Sequence, residues 1–218
     1  MLVPHNQDAV NFFKAVNKVL LNTIFTFSKS FIPEDRKTLL DGLAIYLVDK
    51  LKEGGEAKLN FICTHNSRRS QLSQVWGQAL ADYFKLPIKS YSGGVEVTAF
   101  NPRAVATLQE DGFEVKENGL GNNPQYTFIF GENQLVTFSK LYDDPVNPES
   151  DFVAIMTCDH ADENCPFIPG AVIRFPLRFE DPKAFDNTPL ESEKYLERSR
   201  QIGAELFYVF SSVAKNFQ

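Results

Sequence analysis

The sequence predicts an α/β protein: a three-layer sandwich with a parallel sheet, an N-terminal helical hairpin and a β-hairpin insertion. Continuous apolar runs, LNFIC at 59–63 and DFVAIMTC at 151–158, are typical of strands buried on both faces. Amphipathic helical segments alternate with these runs, as they do in a parallel sheet covered by helices. The 218 residues are enough for one such domain and an extension.

Residues 1–57 are predicted to form the N-terminal extension. Two stretches place apolar residues at helical spacing: Val10, Phe13, Val16 and Leu20, and then Leu39, Leu43, Leu47 and Leu51. Pro33, followed by two acidic residues, suits the start of the second helix, and Gly54 suits its end. We expect the faces around Phe12 and Leu40 to pack on the main domain, with a homodimer as the alternative.

Residues 58–218 are predicted to form the main domain, in which strands and helices alternate. After the strand at 59–63 come a helix over 70–84, a strand over 88–92, a helix over 102–112, the strand at 151–158 and a last helix over roughly 190–215. Asn101 suits the N-cap of the second of these helices, because Pro102 then takes its first position.

An insertion at about 119–150 interrupts this alternation. Two β-rich runs flank Gly131 and predict a β-hairpin. Tyr126, Phe128 and Phe130 recur at every second position of the first run. This aromatic row packs the hairpin on the domain in the simpler interpretation, and forms a wall beside a substrate pocket in the alternative one.

Charge and cysteine content restrict the function. Lys and Arg number 22 against 28 Asp and Glu, a net charge of −6, which argues against nucleic-acid binding. No apolar run reaches the roughly 20 residues that span a bilayer, and the N-terminus lacks a signal-peptide pattern. The odd count of three cysteines fits a disulfide scaffold poorly. We therefore expect a cytoplasmic protein with no membrane partner, whose cysteines are catalytic, redox-active or metal-bound.

The junction between the first strand and the following helix carries the chemistry. Cys63 ends the strand, and Arg69 and Ser70 follow after five intervening residues. A loop that leads from a parallel strand into a helix presents unpaired main-chain N–H groups, which bind anions. The loop residues predicted to bind an oxyanion are Thr64, His65, Asn66, Ser67 and Arg68.

Each residue type at this junction suits an oxyanion site. The positive potential of the loop favours the thiolate of Cys63. Arg69 can bind two oxygens of a tetrahedral anion with its planar fork, and Ser70 can donate its hydroxyl to the sulfur. Asn66 tolerates the left-handed conformation that a tight loop requires. The alternative is a strand-end cysteine that lies near two surface arginines by chance.

The segment FICTHNSRRSQLSQVWG, residues 61–77, resembles the active-site loop of the low-molecular-weight protein-tyrosine-phosphatase superfamily. Within that superfamily it is similar to the thioredoxin-coupled arsenate reductases. The likeness continues through 91–108, 151–170 and 179–182. It therefore covers most of the main domain outside the insertion, and it does not include the N-terminal extension.

The resemblance implies catalytic roles for particular residues. These are the nucleophile Cys63, the oxyanion clamp Arg69, the thiolate stabiliser Ser70 and the general acid Asp181. Two positions depart from the family pattern. His65 stands where glycine is usual, and Gln74 stands where some relatives have a glutamate at a potassium site. We therefore predict no metal and no other bound cofactor.

Cys158 and Cys165 distinguish a reductase from a phosphatase. In the reductase branch, the resemblance implies that Cys63 forms an adduct with arsenate and Cys158 attacks Cys63 to release arsenite. Cys165 then completes a Cys158–Cys165 disulfide, which thioredoxin reduces. The alternatives are two unrelated buried thiols, or a zinc site made by these three cysteines and His160.

The spacing of these two cysteines constrains the relay. If 159–165 form a helix, its seven residues rise about 10 Å, whereas a disulfide requires Cα atoms within roughly 7 Å. Oxidation must therefore unwind the segment, and its Asp and Asn content with Pro166 at its end makes that feasible.

The leading functional hypothesis is arsenate reduction by the three cysteines, with thioredoxin as external reductant. The second is a phosphatase that acts on phosphotyrosine or a small phosphoester through Cys63, Arg69 and Asp181. Both begin with the same step, since arsenate and phosphate are nearly isosteric oxyanions. A redox-responsive binding protein, without catalysis, is the third hypothesis.

Overall fold

The computed structural model describes residues 17–164 and 167–217. Its helices are α1 (Lys18–Phe27), α2 (Glu34–Lys52), α3 (Arg69–Phe84), α4 (Pro102–Glu110), α5 (Asp159–Asn164) and α6 (Glu191–Phe217), with a 3-10 turn at Pro182–Phe185. Its strands are β1 (Ala57–Cys63), β2 (Ile88–Gly94), β3 (Glu114–Asn118), β4 (Gln125–Phe130), β5 (Asn133–Thr137), β6 (Phe152–Met156) and β7 (Ala171–Phe175). The helical spacing predicted from Val10 to Val16 lies outside the described residues.

A parallel sheet in the order β2-β1-β6-β7 forms the centre of the protein, as the apolar runs predicted. Cys63 pairs with Gly94 at the end of β1, and Ile62 pairs with Met156 on the other side. The carboxyl ends of the three neighbouring strands therefore meet at one edge. Apolar clusters cover both faces, and Cys63 belongs to the smaller cluster.

The helices α1 and α2 pack mainly against α6. Phe27 of α1 contacts Trp76 edge-on, with ring centroids 5.0 Å apart, and Leu40 and Leu47 of α2 are fully buried. The apolar face around Leu40 thus packs on the rest of the chain, as expected. The face around Phe12 lies outside the described residues.

The insertion contains the predicted hairpin of β4 and β5, joined at Gly131. Phe128 lies between Phe100 and Phe113, with centroid distances of 5.7 and 6.1 Å. Tyr126 contacts Phe100 as well. The aromatic row therefore packs the hairpin on the domain, and the interpretation as a pocket wall is wrong.

Two strands were not predicted, β3 and β7. β3 pairs antiparallel with β4, and its sequence EVKEN is almost wholly exposed. β7 is a half-exposed edge strand of five residues. β3 lacks the apolar run that made β1 and β6 recognisable, whereas AVIRF is apolar at four of its five positions but is short. Within the described ranges, no helix is both long enough and apolar enough to cross a bilayer.

Candidate active site

The predicted nucleophile lies at the end of β1. Cys63 is 4% exposed, and its Sγ lies 3.0 Å from Oγ of Ser70 in the first turn of α3. Asn66 Nδ2 donates to the same Oγ over 2.8 Å. Because Ser70 already accepts this bond, its hydroxyl hydrogen is available to the sulfur. This chain of donors can stabilise a thiolate at Cys63.

The loop of residues 64–68 has the form of an anion site. None of its main-chain N–H groups donates to an acceptor among the described residues. Asn66 has a φ of 45°, so the left-handed turn falls on Asn66 rather than on His65. A Cβ on Gly94 would lie 2.7 Å from the Asn66 nitrogen, so only glycine fits where β2 passes the loop. The free N–H groups and the start of α3 together favour an oxyanion.

Arg69 is fixed by the segment that carries Asp181. Its Nη1 donates to the carbonyl oxygen of Phe179 over 2.9 Å, and its Nη2 donates to Asp181 Oδ2 over 2.7 Å. The other oxygen of Asp181 accepts from the Lys183 nitrogen over 3.0 Å. The structure thus brings together the predicted clamp and the predicted acid, and leaves further guanidinium N–H groups for an oxyanion.

The side chains of Arg68 and His65 have partners of their own. Arg68 Nε donates to the Tyr195 hydroxyl over 2.8 Å, and its Nη2 lies 3.4 Å from Asp186. Burial raises the pKa of Tyr195 to about 12, so this hydroxyl stays neutral. His65 lies 3.4 Å from Glu96. We therefore expect both loop residues to bind an anion through their main-chain N–H groups.

The insertion and α3 support this loop through groups that the sequence pattern did not indicate. Lys140 donates its main-chain N–H to Asn66 Oδ1 over 3.0 Å. Ser139 Oγ donates to the carbonyl oxygen of His65 over 3.0 Å. Gln71 Nε2 also donates to Asn66 Oδ1, over 3.1 Å. The first two contacts join residues 74 positions apart, so no local pattern could have indicated them.

Cys158 lies beside this loop. It follows β6, the neighbour of β1, and is 1% exposed. Its Sγ lies 3.5 Å from Thr64 Oγ1 and accepts from the Ala161 N–H over 3.4 Å. Cys63 and Cys158 belong to the same apolar cluster. The structure therefore brings these two predicted site residues together, whereas Cys165 lies outside the described residues.

Arginines from outside α5 hold this short helix in place. Asp162 has a side chain that is 6% exposed, and it accepts hydrogen bonds from Arg174 and Arg178. Arg178 also lies 3.1 Å from Asp159. The sequence predicted a weakly built helix from its composition. Its composition is weak, but the ion pairs add support that local propensity does not contain.

The zinc interpretation finds no ligand cluster in the part of the chain that is described. Across residues 17–164 and 167–217, no three Cys, His, Asp or Glu side chains are placed to hold one metal ion. His160 instead places its Nδ1 3.3 Å from Thr64 Oγ1. Cys63, Cys158 and His160 thus do not form a metal site by themselves.

A cavity of about 300 Å³ opens beside the loop. His65, Arg68, Asn101 and Lys183 contribute to its lining, and the aromatic row of the insertion does not. Arg68 and Lys183 add cationic groups that favour an anion, while Ala99 and Pro102 add apolar surface that an organic group can contact. The cavity therefore suits an anion that carries an organic group as well as a small oxyanion.

Comparison with known proteins defines the family. No protein-family model matches the chain. An arsenate reductase of Bacillus subtilis is 32% identical over 148 residues, which cover 67% of this chain and 89% of that protein. Arsenate reductase 2 of Staphylococcus epidermidis is 32% identical over 123 residues, 56% of this chain and 76% of that protein. The chain belongs to the arsenate reductase family, within the superfamily that its active-site loop predicted.

Solved structures show weaker likeness. A low-molecular-weight phosphotyrosine phosphatase from Vibrio cholerae has a TM-score of 0.48 and 13% identity. The matched part covers 71% of this chain and 94% of that protein. The thioredoxin-dependent arsenate reductase Cg_ArsC1' of Corynebacterium glutamicum has a TM-score of 0.43 and 17% identity. The matched part covers 90% of this chain and 84% of that protein. Neither likeness is strong enough to fix a function.

Proposed function

We propose that this protein reduces arsenate to arsenite by a relay of three cysteines. The observation that carries the proposal is the placement of Cys158, whose buried sulfur lies 3.5 Å from Thr64, the residue that follows Cys63. A phosphatase needs a single sulfur at the oxyanion loop, whereas a reductase needs a second sulfur that can reach the first. The 32% identity with arsenate reductases supports the same reaction.

The proposed reaction begins at the oxyanion loop. The thiolate of Cys63 attacks arsenic and forms an As–S bond, while Arg69 and the loop N–H groups hold the remaining oxygens. The displaced hydroxyl oxygen leaves as water by taking a proton, which Asp181 or solvent supplies. The thiolate of Cys158 then attacks the sulfur of Cys63. An S–S bond forms, the electron pair of the As–S bond passes to arsenic, and arsenite leaves.

The relay then regenerates the nucleophile. Cys165 attacks Cys158, and Cys63 leaves as a thiolate. Two thiols have now become the Cys158–Cys165 disulfide, and their two electrons have reduced As(V) to As(III). A dithiol protein of low reduction potential restores the pair, and we propose thioredoxin in this role. Because each cycle depends on such a reductant, we also propose that the protein works in the cytoplasm.

Hydrolysis of a phosphoester is the second candidate activity. Asp181 lies 2.7 Å from Arg69, where it could protonate the oxygen that leaves when Cys63 attacks phosphorus. The first step of arsenate reduction also needs a proton at the leaving oxygen, so an acid placed here serves both activities. The cavity beside the loop offers both cationic and apolar groups to such an ester.

Both activities should be measured on one preparation. We expect arsenate turnover in the presence of thioredoxin, thioredoxin reductase and NADPH, and slower hydrolysis of 4-nitrophenyl phosphate. Cys165→Ser should stop repeated arsenate turnover and spare the hydrolysis, since only the relay uses that thiol. Wild-type protein that hydrolyses the ester but does not consume NADPH with arsenate would reverse the order of the two candidates.

A further inference from the structure

The segment 178–181 connects the candidate active site to the rest of the protein. The Phe179 N–H donates to the Thr157 carbonyl over 3.1 Å, which fixes the segment beside β6. The Phe179 carbonyl accepts from Arg69, and Asp181 two residues later accepts from Arg69 as well. A shift of this segment would therefore move the oxyanion clamp and the acid together.

Arg36, from the first turn of α2, holds this segment from the N-terminal extension. Its Nη2 donates to the Arg178 carbonyl over 2.9 Å, and its guanidinium lies over the Phe179 ring, 5.0 Å from the centroid. Arg36 thus contacts two consecutive residues of the segment, through a hydrogen bond and a cation–π contact. It reaches the Arg178 carbonyl across 142 positions of the chain.

The Arg36 side chain is itself held rigidly. Its Nε and Nη2 lie 2.9 and 2.8 Å from the same carboxylate oxygen of Glu205 in α6. The Glu205 side chain is 4% exposed and that of Arg36 is 19% exposed. A largely desolvated ion pair has a narrow range of geometries, because both ions lose much if they separate. The anchor is therefore rigid enough to position what it contacts.

We propose that Arg36 is a positioning residue for Arg69 and Asp181, so that the N-terminal extension completes the active site. The inference rests on the proposed function, which gives Arg69 and Asp181 their roles. Arg36 contacts neither reacting atoms nor substrate; it acts through the Arg178 carbonyl and the Phe179 ring. Catalysis is sensitive to displacements of this kind, of the order of 1 Å.

The dependence on the leaving group separates positioning from general destabilisation. 4-Nitrophenolate leaves without much help from an acid, whereas phenolate from phenyl phosphate requires a proton from Asp181. We expect Arg36→Ala to lower kcat/KM for phenyl phosphate about tenfold more than for 4-nitrophenyl phosphate, since misplacing a general acid forfeits part of its typical 10²–10⁴-fold contribution. Arg36→Lys, which keeps the charge beside Glu205, should recover part of this loss.

A second readout does not depend on turnover. Inorganic phosphate at the loop should protect Cys63 from iodoacetamide, and the concentration required reports the affinity of the anion site. We expect Arg36→Ala to raise the phosphate concentration required for protection about fivefold. This corresponds to the loss of one hydrogen bond of about 1 kcal/mol between the anion and a correctly oriented Arg69. Lys37→Ala, which removes a neighbouring cation paired with Glu34, is the matched control and should change neither readout.

The outcomes distinguish this inference from the proposed function. Wild-type protein without arsenate turnover would reject arsenate reduction, yet the phosphate protection of Cys63 would still test Arg36. Equal loss for both esters with unchanged protection, or a lower melting temperature alone, would overturn the positioning role. If Arg36→Ala does not fold, Glu205→Gln should show the same changes more weakly, and its failure to do so would overturn the inference.

Discussion

The nucleophile loop and the segment that carries Cys158 lie side by side, but different interactions hold them. Main-chain hydrogen bonds and buried amides fix the loop, with Asn66 as the central residue. The helix after Cys158 is held by the carboxylate of Asp162, which pairs with Arg174 in β7 and with Arg178 just after that strand. The first arrangement is preorganised for an anion. The second can be released by separating a few side chains.

This difference matches the two halves of the proposed reaction. Oxyanion chemistry requires donors that stay in place as the bond to sulfur forms. Disulfide formation between Cys158 and Cys165 requires their Cα atoms to come within roughly 7 Å, which a helical segment does not allow. Arg174 and Arg178 are 30% and 43% exposed, against 19% for Arg36, so their ion pairs with Asp162 separate at less cost than the Arg36–Glu205 pair.

The sharpest test of the comparison removes one sulfur from each region. Cys63→Ser should lower both arsenate reduction and hydrolysis of 4-nitrophenyl phosphate by at least about 10³-fold, since both begin with this nucleophile. Cys158→Ser should lower arsenate turnover just as far and leave hydrolysis within about twofold, because only the relay uses its sulfur. Steady-state kinetics of both reactions is the measurement. Equal loss of hydrolysis in the two variants would show that hydrolysis also needs Cys158, so that the two regions do not serve separate steps.

Lys140, whose main-chain N–H supports the loop, buries its side-chain amine, and this lowers the stability of the folded protein. Burial lowers the pKa of Lys140 from its ordinary value of 10.5 to about 8, and Asp144 offsets this only in part. Below pH 8, Lys140 is protonated in both the folded and the unfolded state, so the folded protein bears the full free-energy cost of burying the charge. Between pH 8 and 10.5 the unfolded chain binds more protons, and stability rises with pH.

Lys140→Met should therefore stabilise the protein at pH 7, by up to about 3 kcal/mol. The gain should shrink between pH 8 and 10.5 and be absent above that range, because wild-type Lys140 is then neutral in both states. Urea denaturation at pH 7 and pH 10.5 measures it. A gain that is the same at both values would show that packing, not charge, is responsible.

The ion pairs of α5 should control access to Cys158. Asp162→Asn removes the charge shared by Arg174 and Arg178, so local opening becomes easier. We expect Cys158 to react with iodoacetamide about tenfold faster, measured by peptide mass spectrometry over time. Glu163→Gln, on the exposed side of the same helix, is the control and should leave the rate unchanged. An unchanged rate in Asp162→Asn would place the restraint on this segment elsewhere.

The smallest expected effect comes from the hydrogen bond between the Ser70 hydroxyl and the sulfur of Cys63. Ser70→Ala removes the hydroxyl 3.0 Å from the sulfur, and the thiolate loses one hydrogen bond. We expect Cys63 to react about fivefold more slowly with iodoacetamide at pH 7, and Cys158 in the same sample to be unaffected. Faster reaction of Cys63 would show that Ser70 shields the sulfur rather than stabilising its thiolate.

The two regions also differ in how far the sequence predicted them. The order of Cys63, Arg69 and Ser70 around a strand end is local, so pattern alone indicated an anion loop, and the resemblance added Asp181. The pairing of Asp162 with Arg174 and Arg178 depends on how β7 runs beside β6, and β7 was not predicted from its short apolar run. Arg36 and Lys140 act across 142 and 74 positions. Contacts of that range follow from the tertiary fold and have no local signature.

A single-turnover experiment tests the central claim most directly. Reduced protein receives one equivalent of arsenate without thioredoxin, and peptide mass spectrometry then locates the disulfide. The account predicts one arsenite released per chain and a bridge between Cys158 and Cys165, with Cys63 again a free thiol. Arsenate left unreduced, with Cys63, Cys158 and Cys165 all still free thiols, would contradict it.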